Sequence, residues 1–411
     1  MALPASLRVL RERNLALYVG ATGVSTLGSA MAEVALAFAV LEIGTPTDLG
    51  LVLLAREVPL VVFLLLGGVW ADRISRQRLL VAADLLRGGA QAAGAALLLT
   101  GLASVWSLAL LQIGYGVAGA FSRPATVGLV PQTVSAGHLH EANALIGLAR
   151  SSLRVVGPAL GGAIVVASSP GWALAADAAS FAASATLLAA MRLPGGVIRA
   201  AGAGVLADLH DGWKEFTSRT WVWVMVVSFG LFQLTLFPAL LVLGPYVAKT
   251  DLGGAGAWGT ILSFQAVGGL VGGVVALRVR PRRPLVTSTL ICLPMAALLA
   301  LLGAAAPVWA ISAVGLLASA CIAVEGVVWF TTLQEKVPAH AISRISSFDW
   351  FGSVALNPIG YALIGPLSGA IGVATTLYLA AALNATIAIG VCLVPSVRAV
   401  RPGVEPVAAP A

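Results

Sequence analysis

The chain has 411 residues, of which 59% are hydrophobic and only 10% are Asp, Glu, Lys or Arg, against roughly 25% charged in an average soluble domain. So few charges cannot cover the surfaces of the two or three soluble domains this length would otherwise form, and the solvent around most of the chain is lipid. The net charge of +7 does not mark a nucleic-acid binder, because Lys and Arg sit in short clusters between apolar runs and not on one face or tail.

Twelve apolar runs follow in order, each about 20 residues or more and so able to cross roughly 30 Å of hydrocarbon. They span 15–41, 49–70, 79–100, 104–122, 143–168, 172–191, 221–247, 256–277, 285–304, 308–331, 348–370 and 372–394. The 46 glycines suit this reading, since small residues let transmembrane helices approach closely. With the N-terminus placed in the cytoplasm, nineteen of the 24 basic residues fall in cytoplasmic segments, and Lys249 alone lies in an outer loop. The remaining four, Arg56, Arg87, Arg150 and Arg154, are inside apolar runs. That asymmetry is the positive-inside rule, and it puts both termini in the cytoplasm of a multi-pass inner-membrane protein. The first run is too long for a signal-peptide core and lacks a clear small-residue cleavage site, so no cleaved leader is expected. Cys292, Cys321 and Cys392 lie far apart in separate helices, and His138-x-His140 lacks supporting ligands, so neither a metal site nor a bound cofactor is expected.

Two segments about 205 residues apart repeat one another. Residues 67–80 read GGVWADRISRQRLL and residues 272–286 read GGVVALRVRPRRPLV; Val130-Pro131 and Val337-Pro338 recur at nearly the same offset. The expected organisation is therefore two related six-helix bundles, at 1–191 and 220–397, with a cytoplasmic tail at 398–411. The linker 192–219 opens with Pro194-Gly195-Gly196 and then places Val205, Leu206, Leu209, Trp213 and Phe216 at helical spacing, which predicts a short amphipathic helix at the membrane interface.

The turn Gly68-Val-Trp-Ala-Asp72-Arg73-Ile-Ser75-Arg76-Gln77-Arg78 resembles the major-facilitator signature between helices two and three, G-x-x-x-D-R-x-G-R-[RK], with Ser75 in place of the second glycine and Gln77 in place of a basic residue. Phe121-Ser-Arg-Pro124-Ala125, Glu141-Ala-Asn143-Ala-Leu145 and Arg154-Val-Val-Gly157-Pro158-Ala-Leu-Gly161-Gly162 are similar, in that order, to the branch containing enterobactin exporters and macrolide-efflux (transmembrane secretion effector) proteins. The resemblance implies an all-α membrane protein of twelve transmembrane helices in two pseudo-symmetric six-helix bundles. It also implies a gate in which Asp72 accepts hydrogen bonds from the start of helix eleven, predicted here at Ser346-Ser347-Phe348-Asp349, with Asp349 able to pair with Arg73 or Arg76. A carboxylate is favoured there by the free N–H groups and positive dipole of a helix start. Leu277 stands where the second half would carry the matching Asp, so the gate is asymmetric. The same resemblance puts helices one, four, seven and ten around a central path and lets Gly157, Pro158, Gly161 and Gly162 form a close helix crossing, although Leu153 replaces a glycine common in the antiporter form of that motif.

Charges inside helices are costly and mark functional or paired groups. Glu33 and Arg56 lie at matching depths, roughly 10–12 Å from the outer boundary at 1.5 Å per residue, so an ion pair is geometrically open to them. Glu33 is the first candidate for a proton or substrate carrier and Glu325 the second, with Arg154 as a further charge on the path. Asp84 and Arg87 are a structural i,i+3 pair on helix three, and Asp177 on helix six also reads as structural. No G-x-x-x-x-G-K-[ST] phosphate loop occurs, so a chemical gradient, with the proton as coupling ion, is the expected energy source. The leading reading is a monomeric secondary exporter of a small amphipathic molecule, working by alternating access and not an enzyme. A metabolite importer or facilitator of the same fold, and a non-transporting sensor or scaffold, are the alternatives.

Overall fold

The computed structural model describes residues 12–71, 75–134, 138–193 and 213–403. Twelve long helices account for most of these residues. The first six are α1 Arg13–Ile43, α2 Pro46–Ala71, α3 Arg76–Leu99, α4 Val105–Leu129, α5 Leu139–Ala167 and α6 Pro170–Ala189. The next six are α7 Thr220–Asp251, α8 Ala255–Ala276, α9 Pro284–Gly303, α10 Val308–Lys336, α11 as the two pieces Ala339–Val354 and Asn357–Ile371, and α12 Val373–Leu393. Nine candidate spans pass a test of length and apolarity among the described residues.

Local chemistry explains where these helices begin and end. Ser104 and Ser107 exchange side-chain bonds with each other's backbone N–H, a capping box that starts α4. Pro46, Pro170 and Pro284 open α2, α6 and α9, where the missing N–H costs nothing. Gly253 and Gly254 take φ of 93° and 90° between α7 and α8, a backbone region that side chains resist, so the tight reversal needs glycine there.

Three helices of the second half are interrupted, each at a proline. Pro238 cannot donate to Leu234 O, and α7 widens into a π turn over Ala239–Leu243 directly after it. Pro294 follows a turn at residues 291–292 in α9, and Pro358 follows the break at residues 355–356 in α11. Gln233 of α7 donates to Ser353 O at 3.1 Å, taking up a carbonyl beside that second break.

Two expectations about helix ends are corrected. α11 begins at Ala339, directly after Pro338, and not near residue 348. Ser343, Arg344, Ser346 and Ser347 break the apolar run without breaking the helix, because polar residues near a membrane face still satisfy helical backbone bonds. Asp349 therefore lies about 15 Å along the helix and not at its exposed start. Likewise α10 continues to Lys336, so Glu325 sits about 16 Å from its end, deeper than the hydropathy boundary at 331 implied.

The chain divides into two compact units. One holds α1–α6 with Gly253–Ser263, the first turns of α8; the other holds α7, the rest of α8 and α9–α12. The domain boundary expected between 191 and 220 thus acquires an exception at the start of α8. Glycine makes that exception possible. A Cβ on Gly162 would meet Ala255 O at 2.6 Å, and one on Gly259 would meet Pro158 O at 2.4 Å.

Matching helix pairs cross closely in both units. In the first, a Cβ on Gly116 of α4 would lie 2.1 Å from Arg56 O of α2. In the second, Cβ atoms on Gly268 and Gly272 of α8 would lie 2.0 Å from Leu316 O and 2.2 Å from Ala320 O of α10. The glycine comes from helix four in one half and helix eight in the other, so the repeat preserves the crossing while exchanging which partner is small. The α1–α5 and α7–α11 pairs repeat in the same way. Gly161 fits against Met31 O at 2.5 Å and Gly360 against Leu234 O at 2.3 Å, the carbonyl that Pro238 leaves without its usual donor.

Candidate functional site

The unit holding α9–α12 contains a cavity of about 290 Å³. Aromatic rings form much of its wall: Phe229, Phe232 and Phe237 from α7, Trp329 and Phe330 from α10, and Trp350 from α11. Phe237 immediately precedes Pro238 and the π turn that follows it, so the irregular stretch of α7 lies next to the cavity wall. Trp329 is held on edge against Phe229, with ring centroids 5.2 Å apart, and against Trp221 at 6.1 Å. Edge-to-face contacts of this kind fix ring orientation as well as burying area.

Among the described residues, Glu325 and Asp349 are the only charged side chains in the lining. Trp329, one turn after Glu325 on α10, donates its indole N–H to Asp349 Oδ2 at 3.0 Å and so ties α10 to α11 at this point. Asp349 is 4% exposed. Its Oδ1 and the Oε1 of Glu325 are both buried and accept no hydrogen bond among the described residues. An ionised carboxylate held in an apolar wall without a cation costs several kcal/mol. Two facing the same space impose that cost together, so the site calls for a positive counter-charge: protons on the acids, or a cationic ligand between them.

A second polar cluster is built inside the other unit from α1, α3, α4 and α6. Arg87 stands 4.0 Å from Asp84 and donates to Ser122 Oγ. Its guanidinium lies 5.5 Å from the centre of the Tyr115 ring and 5.7 Å from that of Phe181. Ser184 donates to Asp84 Oδ2 at 2.6 Å. Gln91 donates to Asp177 Oδ2 at 2.6 Å, Ser180 lies 3.2 Å from Asp177 Oδ1, and Tyr115 donates to Ser29 at 3.3 Å. Asp177 is fully buried. Gly28 of α1 permits this closure, since a Cβ there would fall 2.6 Å from Asp177 Oδ1. Every carboxylate here has donors, which sets the cluster apart from the cavity.

The residues singled out in the sequence are distributed between these places and beyond them. Glu325 lines the cavity, and Asp349, expected at the gate, lines it too. Glu33 on α1 and Arg154 on α5 are exposed. Arg56 stands 3.6 Å from the adjacent Glu57. Gly157 fits against the Cβ of Ala30 on α1, beside the Gly161 and Gly162 contacts already described. Gly68 lies near the end of α2 and Arg76 is the first residue of α3, whereas Asp72 and Arg73 lie outside the described residues. Gln77, the departure from a basic residue in the signature turn, donates to Leu188 O at 2.7 Å and Met191 O at 2.9 Å, fastening α3 to the end of α6. Of the predicted interfacial helix, residues 194–212 lie outside the described residues; 213–217 are helical, and Trp213 and Phe216 pack on Phe348 of α11 with centroids 5.7 and 5.6 Å apart.

The cavity's partners were only half visible in advance. An acid within an apolar run marks Glu325, but nothing in the local pattern joins it to Asp349, because the two meet only when α10 packs on α11. Gln91, which binds Asp177, and Trp329, which binds Asp349, carried no signal beyond being polar-tipped groups in apolar runs.

Known proteins resemble this chain in sequence and architecture. The profile of the Major Facilitator Superfamily matches residues 18–355. The multidrug efflux pump Tap of Mycolicibacterium fortuitum is 25% identical over 352 residues, covering 81% of this chain and 83% of that protein. The enterobactin exporter EntS of Escherichia coli is 27% identical over 313 residues, covering 74% and 73%. Among solved structures, a bacterial homologue of the iron transporter ferroportin in an inward-facing state superposes with a TM-score of 0.70 at 17% identity, covering 94% of this chain and 100% of that one. The nucleoside transporter NupG superposes with a TM-score of 0.67 at 13% identity, covering 95% and 98%. Twelve helices in two six-helix bundles, matched along most of their length by one family, leave a single assignment: the chain belongs to the Major Facilitator Superfamily and is a multi-pass membrane transporter, not an enzyme.

Proposed function

We propose that this transporter is a secondary active exporter of a small amphipathic molecule, driven by protons through alternating access of its two bundles. The observation that carries the proposal is the aromatic cavity whose only charged groups are Glu325 and Asp349, each with a buried oxygen free of hydrogen bonds among the described residues. An apolar wall with few polar anchors suits an amphipathic ligand, and an acid that must be neutralised when its site is dry suits a proton carrier. Glu325 replaces Glu33 as the first candidate for that carrier, because Glu33 is exposed on α1. The two relatives that share most of the chain are, by name, an efflux pump and an exporter, which supports the outward direction. Placement in the cytoplasmic membrane with both termini inside, and function as a monomer, complete the reading.

Proteoliposomes carrying a pH gradient and a fluorescent amphipathic dye test it. The wild-type protein is expected to move dye against its gradient until a protonophore is added, and Glu325→Gln to lose gradient-driven movement by roughly a hundredfold, the scale of removing a required proton carrier. Downhill flux that ignores the pH gradient would make the chain a facilitator and overturn the coupling. The gate belongs to the same proposal: Asp72 would hold the cytoplasmic side closed through the signature turn. Asp72→Asn is then expected to slow gradient-driven efflux about tenfold, the loss of one charge-assisted contact, while equilibrium dye binding stays unchanged. An unaltered efflux rate would remove Asp72 from the gate.

A further inference from the structure

We infer that the Glu325–Asp349 cavity binds a monovalent organic cation on an aromatic or aliphatic body, and that this cation and the coupling proton occupy the same two carboxylates in turn. The inference rests on the exporter reading for the proton and names the substrate class of that same site.

Charge balance comes first. Among the described residues the cavity has two acids in its lining and no Lys, Arg or His. The other titratable groups near the acids are thiols, Cys292 of α9 in the lining and Cys321 one turn before Glu325 on α10. α7 contributes Ser228 and Gln233 to the wall, and α12 contributes Ile387 and Ala388, none of which brings a positive charge. Asp349 is 4% exposed; Trp329 donates to its Oδ2, and the Ser353 hydroxyl one turn further along α11 also bonds to the carboxylate, both neutral donors. A ligand cation would satisfy the free oxygens of both acids at once. An anionic ligand would bring no counter-charge to either acid and would be disfavoured beside them.

The walls select the form of the cation. Six aromatic residues line the cavity, and an organic cation over an aromatic face is attracted by the ring quadrupole, worth about 2 kcal/mol or more when desolvated. A small inorganic ion would have to shed its hydration shell for two carboxylates and a few hydroxyl and amide oxygens, and would leave most of the volume unfilled. A quaternary or protonated amine carries a diffuse, weakly hydrated charge and an apolar body that fills the remainder.

Occupancy by cation and proton is then mutually exclusive. Each ammonium that enters replaces one acid proton, which leaves to water, so the charge within the cavity is unchanged by the exchange. That constancy makes either loaded form tolerable in the membrane and the empty, ionised form costly.

A shape-matched charge series tests this on purified wild-type protein in detergent. Phenyltrimethylammonium keeps its charge at every pH, so any pH dependence of its binding belongs to the protein. Tert-butylbenzene has the same shape without charge, and benzenesulfonate carries the opposite charge. Titration calorimetry in two buffers of different ionisation enthalpy reads both affinity and proton release. The expected result is binding of phenyltrimethylammonium that weakens as pH falls and releases about one proton, with the neutral isostere at least about tenfold weaker and benzenesulfonate not bound. Glu325→Gln and Asp349→Asn, each checked for an unchanged unfolding profile, are each expected to weaken the cation by about tenfold and to abolish proton release. Equal affinity for the isostere, tighter binding of benzenesulfonate, or cation binding indifferent to both variants would overturn the inference. Its failure is separable from that of the exporter reading. Gradient-driven flux of a neutral or anionic compound without binding of the quaternary cation keeps the exporter and sinks the cation site. Cation binding with proton release but no gradient-driven flux keeps the site and sinks the exporter.

Discussion

Gly272→Leu is expected to prevent this protein from folding to a usable yield, whereas Gly273→Leu is expected to be almost silent. The two positions are adjacent on α8 but face different surroundings. A Cβ at 272 would stand 2.2 Å from Ala320 O, 2.6 Å from Ala320 Cα and 2.7 Å from Ala320 C, all backbone atoms of α10. A Cβ at 273 would meet nothing within 4 Å. Backbone of a packed helix cannot rotate out of the way as a side chain can, so the first methyl already forces α8 and α10 apart. Overpacking costs typically 1–3 kcal/mol where side chains can adjust. A whole helix crossing that must open loses its dispersion contacts along several turns as well, and Gly268, with Leu316 O at 2.0 Å, lies one turn away on the same face. Thermal unfolding in detergent, followed with a thiol-reactive dye, measures the difference, since the free cysteines Cys292, Cys321 and Cys392 are buried or half-buried in the folded unit. Similar unfolding profiles for the two variants would mean that α8 and α10 do not depend on this crossing.

The contrast between those two glycines also marks what can be read from the chain. Hydropathy locates twelve spans because lipid imposes one requirement, an apolar run long enough to satisfy its own backbone, and that requirement is local. It fails at the ends of α10 and α11, where polar residues such as Ser346 and Ser347 continue a helix past the apolar core. That error moved Asp349 from a cavity wall to a helix start, and with it the role the residue was expected to play. Asp84 and Arg87 were legible as a pair because they are three residues apart on one helix. Asp177, Gln91 and Ser184 join them only through the packing of α3 on α6, across 86 and 100 residues of sequence. Likewise a run of glycines in α8 shows that some neighbour comes close, but not that Gly268 and Gly272 face α10 while Gly269 and Gly273 face away. The signature turn is the reverse case: its residues are the most recognisable in the chain, and Asp72 and Arg73 lie outside the described residues, so the sequence speaks for them alone.

Arg87→Met is expected to destabilise the first unit by about 3–5 kcal/mol, the cost of leaving buried acids without their cation. The Arg87 side chain is only 18% exposed, pairs with Asp84, donates to Ser122 and lies against the Tyr115 ring. Methionine keeps much of the length and the apolar stem, so packing on Tyr115 and Phe181 is largely retained and the charge is the main loss. If the penalty is electrostatic, neutralising the acid that Arg87 pairs with should return much of it. Arg87→Met combined with Asp84→Asn is therefore expected to unfold closer to wild type than Arg87→Met alone, because the amide still accepts from Ser184 and leaves no uncompensated charge. The cycle completed by Asp84→Asn isolates the coupling between the two residues. Additive effects would show that Arg87 acts through its stem and its bond to Ser122 and not through the acids. A large coupling would instead identify the cluster as a charge-balanced lock holding α3, α4 and α6 together. The two polar sites would then divide their work by charge count. The cluster of the first unit carries its own cation and holds helices in place, while the cavity of the second has none among the described residues and draws its positive charge from a proton or a ligand.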